Sequence, residues 1–299
     1  MMEYCKLGKT DLKISRIGFG TMSLELNNPL TGKILNEALD GGINYFDTAD
    51  LYQQGLNESF LGRTLKGRRN QLILATKVGN QWRADGSGWH WAPSKKYILE
   101  AIEKSLVRLQ TDYIDLYQLH GGTLDDPIDE IIETFEELKS AGKIRFYGIS
   151  SIRPNVIREY VKRSSMVSVM IQYSLLDRRP EEEMLSYLYE NEVGVLARGS
   201  VAKGLLLSKP AEPYLNYSAA QVALAAQAVR SVSDKLFKPS KTAIQFVLHH
   251  PAISSAMVGI RTLEQLQDVL MASHPPLLSD LQIKKLKEIL PANIYQDYR

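Results

Sequence analysis

The chain is nearly free of cysteine, since Cys5 is the only one among its 299 residues. A single thiol excludes an intrachain disulfide and any metal cluster held by several cysteines. Residues 1–6 also lack the apolar stretch of a secretory signal. We therefore expect a reduced, cytoplasmic setting.

Long hydrophobic runs and an excess of one charge are missing as well. No apolar run approaches the ~18 residues that a membrane-spanning helix needs. Lys and Arg number 36 against 34 Asp and Glu, which leaves a net charge of +2. This balance gives no reason to expect nucleic acid or an anionic membrane as partner. The content of 44% apolar and 23% charged residues is typical of a globular protein with a substantial core.

Short β-type runs alternate with longer amphipathic stretches along the chain. Apolar residues recur at helical spacing in four of these stretches, over residues 98–109, 128–138, 184–188 and 244–248, the first behind a possible N-cap at Ser94. Eight runs predict strands, several of them apolar on both faces: residues 14–20, 43–47, 72–77, 113–120, 145–150, 168–172, 194–197 and 253–259. Eight such alternations fit a closed α/β barrel better than an open sheet. We predict a (β/α)8 TIM barrel that forms one domain over residues 1–299.

Two pieces of regular structure fall outside this count. Residues 4–7 and 12–15 predict a β-hairpin before the first barrel strand, and residues 279–289 predict an extra C-terminal helix. Left-handed caps are expected at the glycines that follow helical stretches: Gly41, Gly42, Gly67 and Gly142.

Two long segments, residues 79–93 and 199–218, are predicted to be irregular. Loops of that length in a compact domain are usually functional or mobile. The first segment holds all three tryptophans, which predict a self-packed loop or a wall of a substrate pocket with about equal weight: Trp82, Trp89 and Trp91.

Four polar residues fall on one rim of the predicted barrel. Asp47, Lys77 and His120 end the second, third and fourth runs, and Tyr52 lies in the loop after Asp47. Because a barrel's active site lies at the carboxyl ends of its strands, these side chains are expected to converge. Each residue alone would more often be structural, but four chemically complementary groups on three neighbouring strands favour catalysis.

The chemistry of this set suits the reduction of a carbonyl group. As hydride reaches the carbonyl carbon, negative charge develops on the oxygen and a proton must be delivered. A tyrosine hydroxyl is a weak acid for this task, and a neighbouring ammonium stabilises the phenolate that it leaves. A carboxylate keeps the lysine charged and oriented, and a histidine can hydrogen-bond the substrate oxygen.

The sequence around these residues resembles the aldo-keto reductase family, particularly its bacterial and potassium-channel β-subunit-like branch. The resemblance is carried by GINYFDTADLY at 42–52, ATKV at 75–78 and DLYQLH at 115–120, together with KLGKTDL at 6–12 and IGFGTM at 17–22. It runs in order from about residue 6 to residue 272. It implies a (β/α)8 fold, reduction of an aldehyde or ketone, and a nicotinamide cofactor bound without a Rossmann domain. It also implies a catalytic tetrad with Tyr52 as the proton donor: Asp47, Tyr52, Lys77 and His120.

The resemblance further implies a cofactor site along the same rim. The nicotinamide end would be bordered by Gly20, Thr21, Met22, Asp47, Ser150, Ser151 and Gln172. The pyrophosphate would be wrapped by Arg198, Gly199, Val201, Lys203 and Gly204. The adenosine end would be held by Gly259, Arg261, Gln265 and Asp268. Because guanidinium geometry suits phosphate, Arg261 can pair with a 2′-phosphate, and we expect NADPH as the cofactor.

Three positions in this site depart from the family pattern. Ser151 replaces a usual asparagine, which shortens one carboxamide contact or leaves it to water. Val269 replaces an asparagine at the adenine end. Arg198 stands where relatives usually have an aromatic ring that stacks on the nicotinamide. Its planar cation can stack there too, or it can turn away toward an acidic side chain or the pyrophosphate.

Other functions and sites fit the sequence less well. Some relatives of the branch bind NADPH chiefly to regulate a partner, so an NADPH-binding redox-sensing subunit is the alternative. A phosphate-binding barrel lyase or isomerase would not require the tetrad. The fragment GFGTMS at 18–23 lacks the third glycine of a Rossmann fingerprint. His249 and His250 are adjacent and point apart on a helix, so we predict no metal site. A small-molecule carbonyl substrate is expected, and the sequence leaves its identity and the oligomeric state open.

Overall fold

The computed structural model describes residues 2–233 and 238–299, which contain twelve strands and ten α-helices. The strands are β1 (Tyr4–Lys6), β2 (Lys13–Ser15), β3 (Ile17–Gly20), β4 (Tyr45–Asp47), β5 (Ile73–Val78), β6 (Asn80–Trp82), β7 (Trp89–Trp91), β8 (Ile114–Leu119), β9 (Ile144–Ser150), β10 (Ser168–Gln172), β11 (Gly194–Arg198) and β12 (Ile253–Gly259). The helices are α1 (Thr31–Asp40), α2 (Leu56–Thr64), α3 (Lys95–Leu109), α4 (Ile128–Ser140), α5 (Pro154–Arg163), α6 (Met184–Glu190), α7 (Ala219–Val232), α8 (Pro239–Leu248), α9 (Leu263–Ala272) and α10 (Asp280–Glu288).

Eight of the strands close into a parallel barrel in the order β10-β11-β12-β3-β4-β5-β8-β9. Helices follow the strands along the chain, with both α7 and α8 between β11 and β12. This arrangement confirms the predicted (β/α)8 TIM barrel. None of the helices in the described ranges is long and apolar enough to cross a membrane.

Residues 14–20, predicted as one strand, are divided between two sheets. The backbone N–H of Arg16 donates to the carbonyl of Glu3 at 2.8 Å, and its guanidinium donates to the carbonyl of Leu248 at 2.7 Å. These contacts hold the chain at Arg16, so β2 pairs with β1 and β3 joins the barrel. The predicted N-terminal hairpin is therefore present, but the first barrel strand is shorter than expected.

The apolar core lies in two layers on either side of the barrel wall. Side chains alternate along a strand, so Phe46 packs outward while Tyr45 and Asp47 point inward. The inner layer includes three residues from the N-terminal hairpin, Leu7, Leu12 and Ile14. The hairpin thus covers the amino end of the barrel and leaves the carboxyl end for a ligand.

Gly8 permits this close approach of the hairpin. Its φ of +52° lies in the left-handed region, and a Cβ there would come within 2.6 Å of the carbonyl oxygen of Val167. Because Val167 immediately precedes β10, the contact fixes the hairpin against the amino end of the barrel.

The predicted helix ends are mostly found where expected. Ser94 caps α3 by accepting from the N–H of Tyr97 at 3.3 Å, and α10 forms with Ser279 as its cap. Gly41 is an exception, because its φ of −75° is ordinary helical backbone. A Cβ at Gly41 would meet the side chain of Leu270 at 2.7 Å, so close packing explains that glycine. Left-handed backbone is found at Gly42, Gly67 and Gly142.

Residues 79–93, predicted to be irregular, contain a second β-hairpin. The strands β6 and β7 pair antiparallel, with Asn80 opposite Trp91 and Trp82 opposite Trp89. We refer to residues 80–91 as the tryptophan hairpin. It stands directly after β5 at the carboxyl end of the barrel.

Candidate active site

Three adjacent strands bring polar side chains into the carboxyl end of the barrel. In the barrel register, Asp47 on β4 is opposite Ala75 on β5, and Lys77 on β5 is opposite Gln118 on β8. The sequence predicted Asp47 and Lys77 at these strand ends, and the fold places them side by side.

Lys77 is the centre of the hydrogen-bond network. Its side chain is 1% exposed, and its Nζ forms an ion pair with Asp47 Oδ1. The same Nζ donates to the carbonyl of Thr48 at 2.7 Å and to the hydroxyl oxygen of Tyr52 at 3.2 Å. All three ammonium hydrogens therefore have acceptors, and one of these is the predicted proton donor.

Asp47 and Lys77 hold opposite charges in a site with little solvent. Burial has the largest single effect and would lower the pKa of Lys77, but electrostatic attraction and hydrogen bonds to Asp47 and Tyr52 together outweigh it and raise the pKa. Burial raises the pKa of Asp47, and the charge of Lys77 limits that rise. Gln118 contributes as well, because its Nε2 donates to Asp47 Oδ2 at 3.0 Å. The lysine is thus a charged group held next to the Tyr52 hydroxyl.

The backbone after Tyr52 is held in an unusual conformation. Gln53, Gln54 and Gly55 follow one another with φ values of +49°, +55° and +83°, all left-handed. Residues other than glycine are strained in this backbone conformation, and the contacts around them must offset the strain. The side chain of Gln53 is anchored by its Nε2, which donates to the carbonyl of Leu24 at 2.9 Å. The turn therefore fixes where Tyr52 enters the site.

Asn57 holds this turn to the strand ends. It is fully buried, and its Nδ2 donates to the carbonyl of Thr21 at 2.9 Å and to Gln53 Oε1 at 2.9 Å. Its Oδ1 accepts from the hydroxyls of Thr21 at 2.6 Å and Thr48 at 2.8 Å. Sequence reasoning assigned Asn57 no role, and one amide here joins the ends of β3 and β4 to the Tyr52 turn.

His120 lies immediately after β8 and faces Tyr52. The two rings are edge-on, with centroids 5.9 Å apart and planes at 80°. Its Nδ1 is buried and has no hydrogen-bond partner within the described residues. Burial, followed by the charges of Lys77 and Arg198, lowers the pKa of His120 to about 3. The imidazole is therefore neutral at neutral pH.

Two residues predicted at the nicotinamide end, Gln172 and Ser151, form hydrogen bonds with other parts of the protein. Gln172, at the end of β10, donates from Nε2 to the Tyr214 hydroxyl at 2.8 Å. Its Oε1 accepts from Nη1 of Arg198 at 3.0 Å. Arg198 is exposed, and its guanidinium turns to Gln172 rather than to an acidic side chain. Ser151 Oγ accepts from the N–H of Arg153 at 3.2 Å, while Met22 is 67% exposed.

The loops after β11 and β12 carry the other predicted cofactor residues. Lys203 and Arg261 are exposed, and Lys203 has a left-handed φ of +57° between Val201 and Gly204. At the start of α9, Gln265 Oε1 accepts from the N–H of Arg261 at 2.9 Å. Asp268 forms an ion pair with Lys238. Gly199 lies beside Gln172, and Gly259 packs so closely that a Cβ would meet Ser23 Oγ at 2.7 Å.

Known proteins share this architecture. The model of the Aldo/keto reductase family matches residues 16–291. The chain belongs to this family. It is 50% identical to the uncharacterized oxidoreductase YqkF of Bacillus subtilis (strain 168), over 100% of both chains. It is 32% identical over 234 residues to the NADH-specific methylglyoxal reductase of Escherichia coli (strain K12), with 72% of each chain covered.

A solved aldo-keto reductase, AKR11C1 from Bacillus halodurans, is similar over 100% of both chains. Its holo form gives a TM-score of 0.94 at 49% identity, and its apo form gives 0.86 at 45% identity. Family membership confirms the resemblance read from the sequence and makes the chain an oxidoreductase. It also indicates a nicotinamide cofactor and a small carbonyl substrate.

The chemistry of the rim fits such a cofactor. Next to the site, Ser200 Oγ is buried and unpartnered as far as the described chain extends, so it has a donor to offer. Lys203 and Arg261 supply two exposed cations on adjacent loops, where a phosphate-bearing ligand of the reductase can bind. Val269, one of the three departures from the family pattern, is buried in the core. It therefore does not face the surface that carries Lys203 and Arg261.

Two of the three tryptophans in the tryptophan hairpin of the reductase form hydrogen bonds with neighbouring loops. Trp91 Nε1 donates to Asp126 Oδ1 at 2.8 Å, and Trp82 Nε1 donates to the Leu51 carbonyl at 3.0 Å. Trp89 is 50% exposed. Trp91 therefore holds the hairpin to the loop after β8, and Trp82 holds it to the segment that carries Tyr52.

Proposed function

We propose that the chain is an NADPH-dependent reductase that converts an aldehyde or ketone to an alcohol, with Tyr52 as the proton donor. The observation that supports this most is the position of Lys77 Nζ, which contacts both Asp47 and the Tyr52 hydroxyl in a buried site. A redox-sensing subunit with little turnover would not need that contact. We propose further that residues 1–299 form one catalytic domain that works in the cytoplasm.

When bound, the dinucleotide would supply the hydride that the carbonyl carbon accepts. Tyr52 donates its hydroxyl proton to the carbonyl oxygen as charge develops there. Lys77 stabilises the phenolate that results, and Asp47 keeps Lys77 charged and in place. His120 is neutral and can donate an N–H to the same oxygen, which orients the carbonyl group.

We infer a preference for NADPH from the position of Arg261. Its guanidinium is exposed just before α9, where a 2′-phosphate would gain charge-assisted hydrogen bonds. An E. coli relative is NADH-specific by name, so membership of the family does not by itself imply NADPH, and the preference is proposed from this residue alone. The remaining predicted contacts, from Gly20 and Thr21 to Gln265 and Asp268, are proposed to line the same cofactor.

Replacement of Tyr52 tests the proposal. Tyr52→Phe should lower carbonyl reduction by about 10²–10⁴-fold, the usual effect of losing a general acid. Binding of NADPH, followed by fluorescence, should be unchanged because the ring is kept. Tyr189→Phe is the matched control, since Tyr189 is an exposed tyrosine on α6. A loss of turnover smaller than about tenfold would rule out Tyr52 as the donor.

The same measurements distinguish a reductase from the alternative, an NADPH-binding regulatory subunit. If the wild-type protein binds NADPH tightly but reduces none of a broad panel of aldehydes and ketones, the regulatory subunit becomes the better description.

A further inference from the structure

A second buried carboxyl lies beside the proposed tetrad. Asp50 is 8% exposed, and its backbone N–H donates to the Lys77 carbonyl at 3.2 Å. Its Oδ2 accepts from the hydroxyl of Tyr97, on α3, at 2.9 Å. Its Oδ1 is buried and has no hydrogen-bond partner in the part of the chain that the structure describes. A buried carboxylate with one free oxygen is costly, so protonation of Asp50 is favoured.

The charged groups around Asp50 also affect its protonation. Glu58 of α2 is fully buried and repels a charge on Asp50, although Arg108 of α3 pairs with Glu58 at 2.6 Å. Tyr117 of β8 also faces Asp50 and adds no charge. Burial, followed by the charge of Glu58, raises the pKa of Asp50 to about 7. The carboxyl of Asp50 therefore gains and loses its proton near neutral pH.

Tyr97 connects Asp50 to the tryptophan hairpin. Its hydroxyl lies 2.9 Å from Asp50 Oδ2 and 3.2 Å from the carbonyl oxygen of Asn80. Burial and the charge of Asp50 raise the pKa of Tyr97, so the phenol keeps its hydrogen. That single hydrogen can be donated to only one of the two acceptors at a time.

Asn80 in turn holds a residue of the tetrad. Its Nδ2 donates to the carbonyl of His120 at 2.9 Å, and the N–H of His120 donates to Val78 at 2.7 Å. The hydrogen bond that Tyr97 makes thus acts on the residue that positions His120.

We propose that Asp50 and Tyr97 are positioning residues that set how firmly the tryptophan hairpin holds His120, according to the protonation of Asp50. When Asp50 is ionised, Tyr97 donates to it and the Asn80 carbonyl has no hydrogen from Tyr97. When Asp50 is protonated, it donates to the Tyr97 oxygen, and Tyr97 then donates to Asn80. The protonated state ties the hairpin to α3.

The expected effect on catalysis rests on the proposed role of His120 in orienting the carbonyl group. A looser hairpin weakens substrate binding more than proton transfer from Tyr52, so the change should appear in KM. We expect KM for a carbonyl substrate to rise about two- to tenfold as pH passes upward through the pKa of Asp50, the worth of one hydrogen bond.

Two substitutions should act in opposite directions. Asp50→Asn supplies an amide N–H in place of the protonated carboxyl, so KM should keep its low-pH value at every pH. Tyr97→Phe breaks the connection, so KM should keep its high-pH value at every pH. Asp85→Asn is the matched control, because Asp85 is an exposed carboxylate at the tip of the same hairpin. A purely structural role would instead give both variants the same change.

A measurement without turnover separates this proposal from the proposed function. Hydrogen–deuterium exchange over residues 80–91 should be slower in Asp50→Asn than in Tyr97→Phe, with the wild type moving from one to the other as pH rises. Equal exchange in the two variants, or a wild-type KM that does not change across this pH range, would overturn the proposal. Wild-type turnover that is absent while exchange behaves as expected would count against the proposed function alone.

The pH dependence of protein stability gives an independent test of the protonation of Asp50. Its pKa is about 7 in the folded chain against an ordinary 3.8, so the folded state binds the extra proton between these values. The stability that this proton contributes is present at low pH and is lost as pH rises through about 7. Asp50→Asn should remove that part of the pH dependence of unfolding, and an unchanged dependence would contradict protonation of Asp50.

Discussion

On the rim formed by β4, β5 and β8, Asp47 and Lys77 are 4% and 1% exposed, and their charges contact each other. On the rim formed by β11 and β12, Arg198, Lys203 and Arg261 lie open to solvent. These two sets of strands form two halves of the rim. The first half is held in place by contacts within the folded chain. The second half carries exposed cations, which we propose pair with the phosphates of a cofactor.

This contrast separates two tasks. Proton transfer requires groups held in place before the substrate arrives, in surroundings where water does not screen them. Recognition of a phosphate-bearing cofactor works with exposed cations, because the ligand brings the opposite charge and must also leave. Changes in the first half are therefore expected to affect turnover and stability together, and changes in the second half to affect cofactor binding alone.

The largest effect is expected from Lys77→Met. It leaves the Asp47 carboxylate buried without its partner, which typically costs about 3–5 kcal/mol of folding stability. Carbonyl reduction should fall at least about 10²-fold, because Tyr52 loses the charge that stabilises its phenolate. Urea unfolding and steady-state kinetics measure the two effects.

A double variant tells stability apart from catalysis. Asp47→Leu with Lys77→Met removes both charges, and most of the lost stability should return because apolar pairs often replace buried ion pairs well. Reduction should stay lost. If the double variant regained reduction, the ion pair would be only structural and the contrast between the two halves would fail.

A smaller effect is expected from Arg261→Ala in the other half. Charge-assisted hydrogen bonds contribute about 1.5–3 kcal/mol, so NADPH affinity should fall by roughly 10–10²-fold. Affinity for NADH and the midpoint of urea unfolding should not change. Arg63→Ala, an exposed arginine on α2, serves as the control. Equal affinity of the wild type for NADPH and NADH would show that Arg261 does not select the cofactor.

The smallest effect is expected from Arg198→Tyr. The oxidised nicotinamide ring is positively charged and the reduced ring is neutral, so a cation nearby disfavours the oxidised form. Two like charges at ~4 Å repel by about 1 kcal/mol in water, which corresponds to roughly a fivefold change in affinity. The ratio of the NADP⁺ to NADPH dissociation constants should fall by this factor in Arg198→Tyr.

Arg198→Lys supplies the matched control for this effect, because it keeps the charge and should keep the ratio. An unchanged ratio in Arg198→Tyr would mean that the guanidinium acts through its 3.0 Å contact with Gln172 and not through its charge on the ring.

The comparison also explains which parts of the site could be predicted from the sequence. Asp47 and Lys77 occupy inward positions at strand ends, and strand periodicity alone places such residues on one rim. Gln118 could have been found in the same way, since it is a polar residue at an inward position two before His120. The sequence does not distinguish it, because a lone polar residue in an apolar strand has many explanations.

Other features depend on contacts that no local pattern shows. Asn57 bonds to Thr21 across 36 residues of sequence, and Tyr97 bonds to Asp50 across 47. The hairpin at residues 80–91 lacks clear alternation of apolar and polar residues, so it resembled a loop. The direction of Arg198 is set by a flexible, exposed side chain, and sequence alone left it open.

The closure of the barrel has a consequence for how the chain is synthesised. β3 pairs with β4 on one side and with β12 on the other, and β12 begins more than two hundred residues later at Ile253. At about 5–20 residues per second, roughly 10–50 s pass between the emergence of β3 and of β12 from a ribosome. During that time one edge of β3 has no neighbour, and an unpaired strand edge invites pairing with other chains. A nascent chain stalled before residue 253 is therefore expected to need a chaperone, whereas the finished barrel presents no such edge.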